Sequence, residues 1–244
     1  MVLPRVVSAM EAEQRKDAGK ELEQFLSTKD LAGISLTPIV ASGDAVPELR
    51  RIVQENRIEL AVISTHGRTG FRHLLMGSVA EELFRSLPCP VLTIGPNVSR
   101  GFTAQNGIKH ILFPTDLSLE SKAVFPYLAV VAAEYKSVIT VLYVVPAENH
   151  RHPSTLDEAQ ALRAEIQRMF CSQTDPRCQL NTIVEPGNPI EQILAHARED
   201  RVDLIGFGVR KATEISTHFR NTIPYKIVLQ AECPVLTAHF GDGW

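Results

Sequence analysis

Apolar positions recur along this chain in two alternating rhythms. Met10–Leu26 carries Ala18, Leu22, Phe25 and Leu26 at helical spacing and predicts an amphipathic helix. Ile34–Ala41 is a short apolar run closed by Ser42-Gly43-Asp44 and predicts a strand. Val46–Glu55 sets Leu49, Ile52 and Val53 on one helical face; Leu60–Ile63 predicts a strand, Gly77–Ser86 a helix and Val91–Ile94 a strand. Pro96–Gly107 has no apolar periodicity and reads as a linker. Beyond it, strands are expected at Ile108–Pro114, Val138–Val145, Leu180–Val184, Leu204–Gly206 and Val235–Ala238. Helices are expected between them at Lys122–Ala133, Leu156–Phe170, Ile190–Arg198 and Tyr225–Gln230. Strands alternating with helices imply an α/β fold whose parallel sheet is covered on both faces.

The two halves are copies of one pattern. Asn56-Arg57-Ile58-Glu59-Leu60 resembles Asp200-Arg201-Val202-Asp203-Leu204, and Cys89-Pro90-Val91-Leu92-Thr93 repeats as Cys233-Pro234-Val235-Leu236-Thr237. Gly43 pairs with Gly187, and Leu22, Phe25 and Leu26 pair with Ile166, Met169 and Phe170, all at an offset of 144. Met1 then corresponds to Val145, so the first copy lacks any counterpart of Ile108–Val144. That is a first strand, a first helix and a second strand. The expected domains are an incomplete copy at 1–98, a linker at 99–107 and a complete copy at 108–244.

Candidate chemistry centres on Leu60–Leu87. An apolar strand enters Ser64-Thr65-His66-Gly67-Arg68-Thr69-Gly70, and Gly77-Ser78 then opens a helix. Glycine lets the backbone approach a ligand, and the free N–H groups of a first helical turn favour an anion. Strand, glycine loop and helix start together form a phosphate cradle. The same residues also serve as a plain turn with Ser78 as N-cap. In the second copy, Gly67, Gly70, Gly77 and Ser78 become Lys211, Glu214, Asn221 and Thr222, so that loop has lost its glycines.

Composition narrows the classes. A net charge of −3 suggests no nucleic-acid or anionic-membrane partner. The start lacks the features of a secretion signal, and no apolar run is long enough to span a bilayer. Cys89, Cys171, Cys178 and Cys233 form no C-x-x-C pair, which fits buried thiols in a reducing cytoplasm. His150 and His152 read as loop residues, and no metal site is expected. His66, His73, Arg68 and Arg72 lie beside the loop, as phosphate-side charge or as surface residues. No nucleophile elbow or general base stands out, so catalytic residues are not expected.

The loop, the Cys-Pro-Val-Leu segments and His110-Ile111-Leu112-Phe113-Pro114-Thr115-Asp116-Leu117-Ser118 together resemble the universal stress protein family, in tandem form. The resemblance implies two five-stranded, open parallel sheets of the adenine-nucleotide alpha-hydrolase-like type. The first strand of each lies at the centre, flanked by the second and fourth, and the first copy lacks its β-α-β opening unit. The resemblance also implies dimerisation through sheet edges and, in many members, ATP at the carboxyl ends of the strands. The family's nucleotide pattern falls on Ser64, Gly67, Gly77 and Ser78, with Gly70 in the same loop and Ser64 in place of the first glycine. The adenine-side acid falls on Asp116, which serves equally as a turn or capping acid. One copy thus holds the loop without the acid, the other the acid without the loop. The expected function is a non-enzymatic, nucleotide-binding stress module; a slow ATPase and a ligand-free structural protein are the alternatives. An unpaired buried edge is costly, so about 40 further residues ahead of Met1, ending in a strand, are expected.

Overall fold

The computed structural model describes residues 4–27, 31, 33–65, 78–98, 107–145, 156–175, 178–209 and 222–239. The chain divides into two compact units, Met1–Ile52 and Val53–Trp244.

The first unit holds α1 (Pro4–Ser27) and the start of α2 (Ala45–Glu55). Arg15 Nε donates to Ser42 Oγ at 2.6 Å within it. The strand expected at Ile34–Ala41 does not form: the segment joins no sheet among the described residues, with Ile34, Leu36 and Ile39 exposed. A strand is made by its neighbour's hydrogen bonds, and this run has apolar residues but no neighbour.

The second unit is built on one seven-stranded sheet. Its strands are β1 (Ala61–Ser64), β2 (Val91–Ile94), β3 (His110–Pro114), β4 (Val138–Val145), β5 (Gln179–Pro186), β6 (Leu204–Val209) and β7 (Val235–His239). The helices are α3 (Ser78–Ser86), α4 (Leu119–Lys122), α5 (Phe125–Tyr135), α6 (Leu156–Cys171), α7 (Pro189–Glu199) and α8 (Ile223–Gln230). Sheet order is β1-β2-β7-β6-β3-β4-β5. The second copy therefore forms the expected five-stranded parallel sheet, with β3 between β4 and β6. The helix expected at Lys122–Ala133 is instead two helices, α4 and α5, separated at Ala123-Val124 ahead of Pro126 at the start of α5.

The first copy adds two strands to the same sheet. β1 pairs with β2 in parallel, and β2 meets β7 antiparallel: Val91 opposite Thr237, Leu92 opposite Leu236 and Thr93 opposite Val235. At the 144-residue offset this register is its own mirror, centred on Leu92 and Leu236. The two last strands therefore lie about a local two-fold. Asn97 reinforces the junction by donating to the Leu229 and Gln230 carbonyls at 3.1 and 3.3 Å, at the C-terminal end of α8.

Strand alternation sends side chains to two cores. Ile111, Phe113, Ile139 and Val141 face α5 and α6, where Phe113, Phe125 and Phe170 meet with ring centroids 4.5–5.2 Å apart. Leu112, Leu142, Ile205 and Phe207 face the other way, into a cluster with Ile193, Ile227 and the fully buried Phe84 of α3. Ile63 of β1 packs against this second cluster.

Candidate functional site

The carboxyl end of β1 and the start of α3 bracket the glycine loop. Ser64 closes β1 and is exposed. Thr65 follows, buried, with its N–H donating to the Ile94 carbonyl at 3.1 Å. Ser78 is the first residue of α3 and is exposed. Gly67, Gly70 and Gly77 lie outside the described residues, as do His66, Arg68, Arg72 and His73. Among the described residues, then, Ser64 and Ser78 mark the two ends of the expected cradle. Among the described residues β1 is the last strand of the sheet on that side, with no strand beside it to carry an acid.

Asp116 lies two residues beyond β3, the central strand of the second copy, and is exposed. Its Oδ1 accepts the Ser118 N–H at 3.0 Å and the Ser118 hydroxyl at 2.6 Å. Ser118 in turn caps α4 by accepting the Ser121 N–H. Partial burial acts to raise the Asp116 pKa, but the bonds from Ser118, with a weaker one from Ser121, outweigh it and hold the carboxyl below its ordinary value of 3.8. Asp116 is thus an ionised turn acid at the carboxyl end of the sheet. Thr115 extends this turn, sharing a 2.8 Å hydrogen bond with the Ser121 hydroxyl and accepting the Leu117 N–H. The second copy's loop, with Lys211, Glu214 and Asn221, is outside the described residues, and Thr222 precedes α8 as an exposed residue.

Gly208 occupies the place that Ser64 holds in the first copy, and its reason for being glycine is packing. A methyl added there would strike the Glu120 and Ser121 carbonyls of α4. At Gly206 an added methyl would sit 2.5 Å from Leu128 Cδ1. The glycine at the family's first nucleotide position is thus a helix seat in this copy, a role that motif spacing does not disclose.

The remaining chemistry is structural. Cys233 is buried, and burial, with Asp203 nearby, pushes its thiol up to about 12. Cys89 is buried as well, whereas Cys171 is exposed and Cys178 half-buried, so the expectation of buried thiols holds only for the pair matched by the repeat. His196 bridges Glu185 at 2.9 Å and Asp200 at 3.2 Å, a cluster that sequence spacing did not reveal. Concavities of about 260 and 450 Å3 open at the amino ends of the second copy's strands, around Cys233 and around His110. Among the described residues no group of three or more His, Cys, Asp or Glu could hold a metal ion. No helix among them is long and apolar enough to cross a membrane. His150 and His152 lie outside the described residues.

A tandem α/β protein whose copies share one open sheet is the class that these features define. The family model of the universal stress proteins matches residues 2–95 and 107–239, and the chain belongs to that family. It is 29% identical over 84 residues to a universal stress protein of Methanocaldococcus jannaschii, a match covering 34% of this chain and 49% of that one. The chain thus spans about half the length of that curated relative. A universal stress protein of Archaeoglobus fulgidus shares the fold with a TM-score of 0.70 at 17% identity, over 99% of this chain and 84% of that one. A functionally unknown protein of Pseudomonas aeruginosa does so with a TM-score of 0.63 at 18% identity, over 93% and 79%.

Proposed function

We propose that this chain is a non-catalytic stress-response module that takes an adenine nucleotide, ATP in the first instance, through its first-copy loop. The observation that carries the reading is the Ser64–Ser78 stretch. Between Ser64 at the end of β1 and Ser78 at the first position of α3, the sequence carries Gly67, Gly70 and Gly77. Backbone N–H groups and hydroxyls in that setting bind phosphate oxygens without any acid or base. Asp116 is the candidate for the base of a nucleotide in the second copy, where the loop carries Lys211 and Glu214 in place of glycines. In this reading the second copy is chiefly structural. The antiparallel pairing of β2 with β7 supports reading the expected edge association as one made within the chain.

Calorimetric titration of ATP into the purified chain tests the reading. Binding should weaken at least about tenfold, roughly 1.4 kcal/mol, in Gly77→Val and stay unchanged in Asp116→Asn. Absence of binding by the natural chain overturns it in favour of a ligand-free module. Hydrolysis of ATP that disappears in Gly77→Val overturns the non-catalytic part.

A further inference from the structure

β5 closes the sheet on the side away from β1 and pairs with β4 alone, in unbroken register over its 8 residues. Backbone N–H and C=O groups alternate in direction along a strand. The Gly187 N–H bonds the Val145 carbonyl of β4, so odd-numbered residues turn toward β4 and even-numbered ones outward. Two outward carbonyls show this: that of Val184 accepts Arg163 Nη2 of α6 at 3.3 Å, and that of Pro186 accepts Gln192 Nε2 at 3.4 Å. The outward N–H and C=O groups of Leu180 and Thr182, and the Val184 N–H, have no partner among the described residues. Edge strands are usually guarded by Lys, Pro or a bulge. β5 has no Lys and no bulge, and its Pro stands at the very end. The Thr182 hydroxyl is buried and has no hydrogen-bond partner among the described residues. Leu180, Asn181, Thr182 and Ile183 line the concavity of about 450 Å3, which leaves room beside the strand.

We propose that this edge binds the same edge of another molecule of this chain, β5 against β5, antiparallel about a two-fold axis at Thr182. The strand is complementary to itself in that register. Even-numbered residues then face even-numbered ones, so the outward N–H and C=O groups meet, and Leu180 of each molecule exchanges both bonds with Val184 of the other. Thr182 faces Thr182, which gives each orphan hydroxyl a partner. Side chains match as well. Leu180 lies beside Val184 on the face that carries α6, and Gln179 beside Glu185 on the face that carries α7. Like charges are therefore not opposed, since Glu185 is the strand's one charged residue. Shifting the register by one residue sets outward groups against inward ones. Shifting it by two either brings Pro186, which has no N–H, opposite Leu180 or leaves Glu185 beyond the pairing. An unrelated extended peptide would satisfy the backbone, but the self-matching side chains point to a second molecule of this chain. The edge is distinct from the β2–β7 seam, which lies inside one chain.

Light scattering of the full chain across a concentration series tests the proposal. A dimer is expected. Gln179→Glu sets like charges opposite Glu185 twice per interface and should weaken it about tenfold, whereas Gln179→Lys should strengthen it by a similar factor. Gln179 is exposed, so neither change disturbs the core. Thr182→Pro removes an outward N–H that β4 does not use and should abolish the dimer. A cross-link reads the register directly. In a chain carrying Cys171→Ser and Cys178→Ser, Thr182→Cys should close a disulfide between molecules under mild oxidation, because hydrogen-bonded antiparallel pairs stand about 5.5 Å apart at Cα. Gln179→Cys, far from its own mate in this register, should not. A chain that stays monomeric at its highest soluble concentration overturns the proposal. So does a dimer whose affinity ignores both Gln179 changes, or a Gln179→Cys chain that cross-links as fast as Thr182→Cys. None of these readouts involves nucleotide, so failure here is distinct from failure of the ATP reading.

Discussion

β6 and β1 are the same strand in two copies, and they live in different surroundings. Leu204-Ile205-Gly206-Phe207-Gly208 sits inside the sheet between β3 and β7, with α4 and α5 pressed onto its glycines. Leu60-Ala61-Val62-Ile63-Ser64 ends the sheet and, among the described residues, is covered on the face where Ile63 meets the core around Phe84. Local backbone geometry is nevertheless common to both copies. Gly43 and Gly187 both take positive φ, 124° and 147°, ahead of α2 and α7. Arg57 and Arg201 both take the left-handed conformation, at 49° and 50°, just after those helices. The Ile58 N–H bonds the Val53 carbonyl as the Val202 N–H bonds that of Ala197, both at 3.0 Å. Turns and caps are thus repeated faithfully where burial is not. Short-range geometry follows from a few adjacent residues; burial follows from partners far away in the chain.

Matched substitutions in the two copies break or sharpen that comparison. The largest contrast is expected at Phe170 and its counterpart Leu26. Phe170 is fully buried in the aromatic trio, so Phe170→Ala should cost about 3–5 kcal/mol in urea unfolding, while Leu26→Ala, at a partly exposed site, should cost under about 1 kcal/mol. Equal costs would show that the first copy is as well packed as the second. Next come Gly208→Ala and Ser64→Ala. The former forces a methyl onto the α4 backbone and should lose about 1–3 kcal/mol, whereas the latter should stay within about 0.5 kcal/mol. A cost at Ser64 matching that at Gly208 would place a tight helix over β1.

The copies should behave alike at the positive-φ glycines. Gly43→Ala and Gly187→Ala should each destabilise by roughly 1 kcal/mol, since both force an L side chain into a disfavoured region. Differential unfolding of the two copies in calorimetry would separate the effects. The smallest effect concerns Asp116, which has no first-copy counterpart. Its folded pKa is depressed, so its ionised form contributes stability at neutral pH. That contribution is lost as pH falls through the lowered folded value, below 3.8. The stability difference between the natural chain and Asp116→Asn should therefore be present at pH 7 and vanish in acid. A difference that persists or grows on acidification would show that the Ser118 bonds do not favour the charged carboxyl.

Sequence pattern placed most elements to within a few residues because each carries its own signal. Val91–Ile94 and Val138–Val145 are bounded by prolines, polar residues or glycine and fall where β2 and β4 are observed. The tandem architecture was equally legible, because an offset of 144 holds through four separate stretches. Two points misled. Ile34–Ala41 has strand composition, but composition supplies no hydrogen-bond partner. Lys122–Ala133 reads as one helix because apolar spacing runs on through Ala123-Val124, where Ser118 caps one short helix and Pro126 starts another. Of the candidate site, the residue types at Ser64, Ser78 and Asp116 could be read directly. The coupling of Asp116 to Ser118 and of Gly208 to α4 could not, since each depends on where a separate helix comes to rest.

What the sequence by itself determined is the repeated α/β unit and the strand–glycine–helix order of the Leu60–Leu87 stretch. These are written in periodicity, turn residues and spacing, which act over a few residues at a time. Tertiary structure decided that both copies share one sheet through β2 and β7, and that Gly208 seats a helix. It also left Val62 facing outward on an edge strand. Those outcomes depend on contacts between residues more than 80 positions apart, and no local pattern encodes which distant surface will arrive.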